Sequence, residues 1–135
     1  MKLKAPKGLI YDKRKEGWAL TKEGDQIEGE PDLEFVPFLQ GGETAIVGTT
    51  MVERAVAMEG LTSQYHAERM LQQQDQIPPE LRPFYLVFAG TEWRDSDGDL
   101  CVPCLFWYGD EWILYFDWLA RGSWGSRARL VRLRK

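Results

Sequence analysis

Four short apolar runs near the C-terminus, Phe84 to Trp93, Leu100 to Tyr108, Glu111 to Leu119 and Arg127 to Leu133, leave this chain little choice of fold. They are rich in aromatic and aliphatic residues, and the pairs Asp97-Gly98 and Gly109-Asp110 punctuate them. Turn formers at that spacing specify tight hairpins, so the segment is expected to be an antiparallel meander. Side chains alternate across a strand. Leu105 and Trp107 therefore share one face while Cys104, Phe106 and Tyr108 share the other. In the next strand Trp112, Leu114, Phe116 and Trp118 alternate with Ile113, Tyr115 and Asp117. Both faces are apolar, so both need a cover or a use.

The cover comes from upstream. Thr50 followed by Glu53 forms a capping-box pattern, Met51, Val52, Ala55, Val56 and Met58 make a helical stripe, and Gly60 is a natural stop, which predicts a helix at about 50–59. Thr62 or Ser63 caps a second helix carrying Tyr65, Ala67, Met70 and Leu71, which must end before Pro78-Pro79. Residues 1–48 read as short strands and loops, with apolar stretches at Leu9 to Tyr11, Trp18 to Leu20, Leu33 to Leu39 and Ala45 to Val47. A length of 135 residues fits a single α+β domain over 1–135. Two short helices are expected to cover one face of the sheet, leaving the second aromatic face either to pack on further strands of the same chain or to present a binding surface.

Charge is segregated. Residues 1–15 hold six Lys/Arg and one acid, residues 121–135 hold six and none, and the acids crowd the middle. This pattern predicts that N- and C-terminal strands pair and meet an acidic body. A small nucleic-acid-binding module using the basic termini and exposed aromatics is the alternative. It is disfavoured by a pI near 5.1, since phosphate binding draws on excess positive charge. No apolar run approaches the roughly 18 to 20 residues of a membrane helix, and Met1 to Pro6 lacks the apolar core of a secretory signal. The expected location is the cytoplasm or a virion.

Chemistry-bearing residues are few. Cys101 and Cys104 form a C-x-x-C spacing, but on a strand positions i and i+3 point to opposite faces, and His66 is the one histidine, so neither a redox pair nor a zinc site is expected. Asp95, Asp97 and Asp99 around Gly98 fit a polar hairpin turn better than a calcium loop. No residue is assigned a catalytic role, no metal site is read and no cofactor is expected.

Residues 93–128 contain no Lys, Gln or Met and one Glu, Glu111, whereas residues 1–92 contain 28 residues of these four types. Strand composition explains part of that deficit. The segment carries a tryptophan-punctuated frame: Phe88-x-Gly90-Thr91-x-Trp93, Val102-Pro103-x-Leu105-x-Trp107, Trp112-x-Leu114-x-Phe116-x-Trp118-Leu119 and Trp124, ending in Arg129 to Arg132. This frame resembles the variable region of variable proteins from diversity-generating retroelements, which have a C-type lectin fold. The resemblance implies a compact C-type lectin-like fold, two helices on an antiparallel meander with N- and C-terminal strands paired. It also implies a non-enzymatic binding protein whose ligand, by analogy a protein, is met by a hypervariable site. In that family adenine-directed copying errors diversify codons that cannot become Lys, Gln, Met, Glu or Trp. The implied variable region is 93–132. Its diversified positions would be Arg94, Asp95, Ser96, Cys104, Phe106, Tyr108, Ile113, Tyr115, Asp117, Arg121, Gly122, Ser126 and Ala128, on a framework of Trp93, Trp107, Trp112, Trp118 and Trp124. Glu111 would be fixed.

Overall fold

The computed structural model describes residue 2, residues 8–121 without the Arg121 side chain, and residues 124–134. In chain order the elements are β1 (Ala19–Lys22), β2 (Leu33–Val36), β3 (Ala45–Ile46), α1 (Gly48–Ala57), α2 (Gln64–Gln72), β4 (Tyr85–Val87), β5 (Glu92–Arg94), β6 (Leu100–Tyr108), β7 (Glu111–Trp118), β8 (Trp124–Gly125) and β9 (Ala128–Leu133). Seven strands form one curled sheet in the order β1-β5-β6-β4-β9-β2, with β7 on β6, and β3 and β8 form a separate pair. Cys101 lies between Trp93 and Trp118, and Cys104 between Val87 and Tyr115. Strands β4 and β5 therefore share one edge of β6, end to end, and β7 takes the other.

Both hairpins form where the turn residues stand. Gly98 and Gly109 adopt the left-handed φ of 87° and 68°, and Tyr108 pairs with Glu111 across a two-residue turn. The run expected as one strand from Phe84 to Trp93 is broken into β4 and β5. Gly90 sits against the 61–62 backbone, where a Cβ would lie 2.2 Å from the Leu61 carbonyl oxygen, and its N–H donates to Thr62 O at 2.9 Å. The backbone group of Gly90 thus serves a tertiary contact instead of a ladder.

The C-terminal strand β9 pairs antiparallel with β2 and parallel with β4, while the first strand, β1, pairs with β5. The expected pairing of N- and C-terminal strands is corrected: β9 is partnered by β2, whose acids meet the basic C-terminus, Arg132 with Glu34 at 2.6 Å and Arg134 with Asp32 at 3.2 Å, while the Lys2 backbone forms an isolated bridge to Asp32.

The expectation that the two helices cover one face is corrected. Alternation splits the core in two. Leu86, Phe88, Leu105 and Val131 join Tyr65, Ala67 and Met70 of α2, whereas Val87, Ala89, Val102, Cys104 and Leu130 join Met51 and Ala55 of α1. The helices lie on opposite faces.

Local details also differ from the sequence reading. Helix α1 starts at Gly48 with Val47 as N-cap and no side-chain cap, so Thr50 and Glu53 fall inside it. Its start is set by packing, because a Cβ on Gly48 would lie 2.0 Å from Leu119 O. Its end is a left-handed Glu59, φ 56°, with Gly60 N–H donating to Ala55 O at 2.7 Å. Gly60 is not the left-handed residue, and a Cβ there would make only ordinary contact with Leu130 at 3.5 Å.

Helix α2 is capped by Ser63, whose N–H donates to His66 Nδ1 at 3.1 Å. Its polar residues Gln64, His66, Glu68 and Arg69 are all buried. The N-terminal segment crosses them: Glu68 accepts the Ile10 and Tyr11 N–H groups at 2.8 Å each, and Gln64 Nε2 donates to Tyr11 O at 2.8 Å. Gln64 Oε1 accepts the Trp93 indole N–H at 2.7 Å, tying the helix to the sheet.

Burial holds the His66 imidazole neutral, lowering its pKa to about 4 against a smaller opposing pull from Asp25. The unfolded chain takes up that proton near the ordinary histidine value of 6.5. The His66 contribution to stability is therefore complete above pH 6.5 and is lost as pH falls towards 4, at up to about 1.4 kcal/mol per pH unit. Urea denaturation at pH 7, 6 and 5 should show that decline in the wild type and a shallower one in His66→Gln. Equal slopes would overturn the assignment.

Candidate functional site: an aromatic pocket on the α1 face

The β6–β7 hairpin runs past the end of α1. On that face the register places Tyr85, Phe106 and Tyr115 side by side: Phe106 and Tyr115 stack edge to face at 4.9 Å, and Tyr85 lies 6.3 and 6.5 Å from them. Tyr108 extends the cluster at 6.1 Å from Phe106 and is 67% exposed. Tyr85, Phe106 and Tyr115 form the floor of a pocket of about 790 Å³. Its walls are Asp117 and Trp118 from the end of β7, Trp124, Ser126, Arg127 and Ala128 from β8, β9 and their turn, and Thr44 and Ala45 at β3. That volume lies within the usual range for a small-ligand or peptide site, roughly 300 to 1,000 Å³.

Two features fix the walls. Asp95 Oδ2 accepts the Trp118 indole N–H at 2.9 Å, while Asp95 Oδ1 accepts the Asp97 and Asp99 amides at 3.0 and 2.9 Å. These hydrogen bonds, the Asp99 amide foremost and then the Trp118 indole, hold the Asp95 carboxyl below its usual pKa. The aspartate turn is thus a brace for Trp118. Opposite it, Arg129 stacks on Phe84 at 4.0 Å and donates to Ser126 O and Ala128 O at 2.7 and 2.9 Å, pinning the β8–β9 turn.

Of the positions expected to vary, Phe106, Tyr115, Asp117, Ser126 and Ala128 meet at this pocket. Tyr108 and Ile113 continue its face, since Phe106 pairs with Ile113. Arg94, Asp95 and Ser96 belong to β5 and its turn and reach the pocket only through the Asp95–Trp118 contact. Cys104 and Ala128 are corrected as exposed positions: Cys104 is fully buried and Ala128 nearly so, both in the core shared with α1. Alternation gives the face of a residue and not the extent of the cover above it. The Arg121 side chain and Gly122 lie outside the described residues.

Among the framework tryptophans, Trp93, Trp112 and Trp124 are buried. Trp107 is half-buried beneath the Arg82 guanidinium at 3.9 Å, and Trp118 is 44% exposed, a pocket wall and not core. The reading missed Tyr85 and Arg127. The β4–β6 register puts Tyr85 beside Phe106, and no periodicity within one run could reveal it.

Both cysteines are free and buried. Cys101 donates weakly to Trp93 O at 3.7 Å, and burial, helped by nearby carboxylates, pushes its thiol up to about 12; burial pushes Cys104 well above its ordinary value. Neither supplies a thiolate near neutral pH. Among the described residues no trio of His, Cys, Asp or Glu is gathered to hold a metal, and no helix is long and apolar enough to cross a membrane. No family model, no curated protein and no solved structure matches this chain.

The geometry sorts substitutions. Trp112→Ala should cost about 3 to 5 kcal/mol, whereas Tyr108→Ser should change stability by about 0.5 kcal/mol or less. Phe106→Ser and Tyr115→Ser should fall between, because both rings are half-buried against their neighbours. Thermal melts in which Tyr108→Ser matched Trp112→Ala would abolish the open face. A thiol reagent should label neither cysteine in native protein and both after denaturation; rapid native labelling of either would contradict their burial.

Proposed function

We propose that this chain is a non-enzymatic ligand-binding protein whose site is the aromatic pocket and the sheet face around it. On this reading the domain is a compact C-type lectin-like one, and its 93–132 segment is diversified by a retroelement. One observation carries the proposal: side chains spread from Phe106 to Ala128 that the tryptophan frame leaves as its alternates converge on one pocket. A core would not need that convergence, and large apolar patches left open to solvent usually mark binding sites. The tyrosines suit the role, because they give contact area at low entropy cost.

The nucleic-acid alternative has less support. Arg132 and Arg134, central to its basic C-terminus, are engaged by Glu34 and Asp32.

Two experiments test the proposal at different levels. Screening small ring-containing fragments by NMR should cluster amide shifts on Tyr85, Phe106, Tyr115 and Trp118; shifts scattered over the surface would overturn the site. Sequencing the DNA around the gene should find a near-copy of the 93–132 coding segment that differs at adenines, beside a reverse transcriptase gene. Absence of both would remove the retroelement from the proposal and leave the pocket.

A further inference from the structure

The pocket pairs an aromatic floor with a guanidinium that no carboxylate among the described residues engages. Arg127 lies on its wall with its guanidinium carbon 5.3 Å from the Tyr85 centroid. The one hydrogen bond from its side chain among the described residues is a long one, Nε to Pro83 O at 3.4 Å. No carboxylate among those residues lies within ion-pair distance of it. The other arginines of the C-terminal strand differ: Arg132 and Arg134 are ion-paired, and Arg129 is spent on backbone carbonyls.

The backbone position of Arg127 is itself fixed, because its carbonyl accepts the Tyr85 N–H at 2.8 Å. The cation is therefore delivered to the edge of the ring cluster by the sheet register.

Building on the pocket as a ligand site, we propose that it takes an aromatic ring bearing a carboxylate. The ring enters among Tyr85, Phe106 and Tyr115, and the carboxylate is held by the Arg127 guanidinium. Edge-to-face packing suits a fourth ring, and guanidinium matches carboxylate geometry with two parallel N–H donors. Asp117 lines the same pocket from β7 and accepts the Trp118 amide at 2.9 Å. Its negative charge opposes an anion, so the ligand's carboxylate belongs on the Arg127 side. The same chemistry is offered by a free aryl acid and by a peptide that ends in an aromatic residue.

Titrations of isotope-labelled full chain, followed by NMR, separate these. The probes are N-acetyl-phenylalanine, its amide, and a Gly-Gly-Gly-Phe peptide with a free or amidated end. The acid should bind at least about ten-fold more tightly than the amide, a difference of about 1.4 kcal/mol, and should weaken as salt rises. Arg127→Gln should erase that ratio while leaving the amide's affinity unchanged, with an unchanged melting temperature showing that the fold persists; Arg14→Gln, paired with Asp12 and not among the pocket's lining residues, should leave the ratio intact. Tighter binding of the free-ended peptide than of the acetylated amino acid identifies the peptide terminus as the source, and the reverse identifies a free acid. Equal affinity of acid and amide at the pocket overturns the carboxylate while the pocket stands. Failure of all four probes to shift pocket residues overturns this inference, and if ring fragments also fail there, the binding-site proposal falls with it.

Discussion

The site exists because of a mismatch in length. Helix α1 has ten residues and α2 nine, so each is about 14 to 15 Å long, whereas the nine residues of β6 span about 30 Å. A helix laid across a strand of that reach cannot cover it from end to end. On the α2 face the shortfall is met by the segment after the helix: Leu81 and Phe84 join that core, and Arg82 lies over Trp107, which packs on Trp112 at 5.9 Å. On the α1 face the short β3–β8 pair and the turn into β9 reach the end of the hairpin without roofing it. Phe106, Tyr108 and Tyr115 are the residues left beyond the cover.

Buried polar chemistry serves a different end of the molecule. Glu68 is fully buried, and yet it accepts two backbone N–H groups and the Gln64 amide, so its acceptor capacity is used for holding the N-terminal segment. Gln64 in turn links that segment to Trp93, and Thr91 links α2 to Glu23, accepting the Gln64 N–H and donating to Glu23 O. A buried carboxylate is often a sign of catalysis. Here every contact is to backbone or to a neutral amide within the scaffold, and the cluster lies on the face opposite the aromatic pocket. It reads as the clamp by which a chain with few strands at its start closes one side of the sheet.

The strands, hairpin turns and helix positions were legible because each is a local matter: Gly98 and Gly109 at their turns, Ser63 before its helix, apolar spacing in α1. What failed depended on partners distant in sequence. The local pattern of α2 carries no sign that His66 and Glu68 are buried, because the segment that crosses the helix comes from far upstream. The break at Gly90 answers to Leu61 and Thr62, and the early start of α1 answers to Leu119. For the pocket, alternation within β6 and β7 correctly set Phe106 and Tyr115 on one face and could not tell that Cys104, two residues away on that face, is roofed by α1. Cover is a tertiary property, and so was the membership of Tyr85 and Arg127.

That boundary between roofed and open positions limits how freely a surface like this can change. Tyr108 stands clear of its neighbours, so its side chain is close to independent of the fold. Tyr115 is not: it packs on Phe106, lies alongside the Cys104 thiol across the β6–β7 pair, and belongs to the fringe of the α1 core. Removing such a ring strips the open face and the core at once. An aromatic face on a sheet edge of this kind therefore grades from tip to root, with chemical freedom falling as residues approach α1. The buried Trp93 and Trp112, set on the far side of the same strands, are what allow any freedom at all, because they anchor β5 and β7 through contacts that the open face does not share.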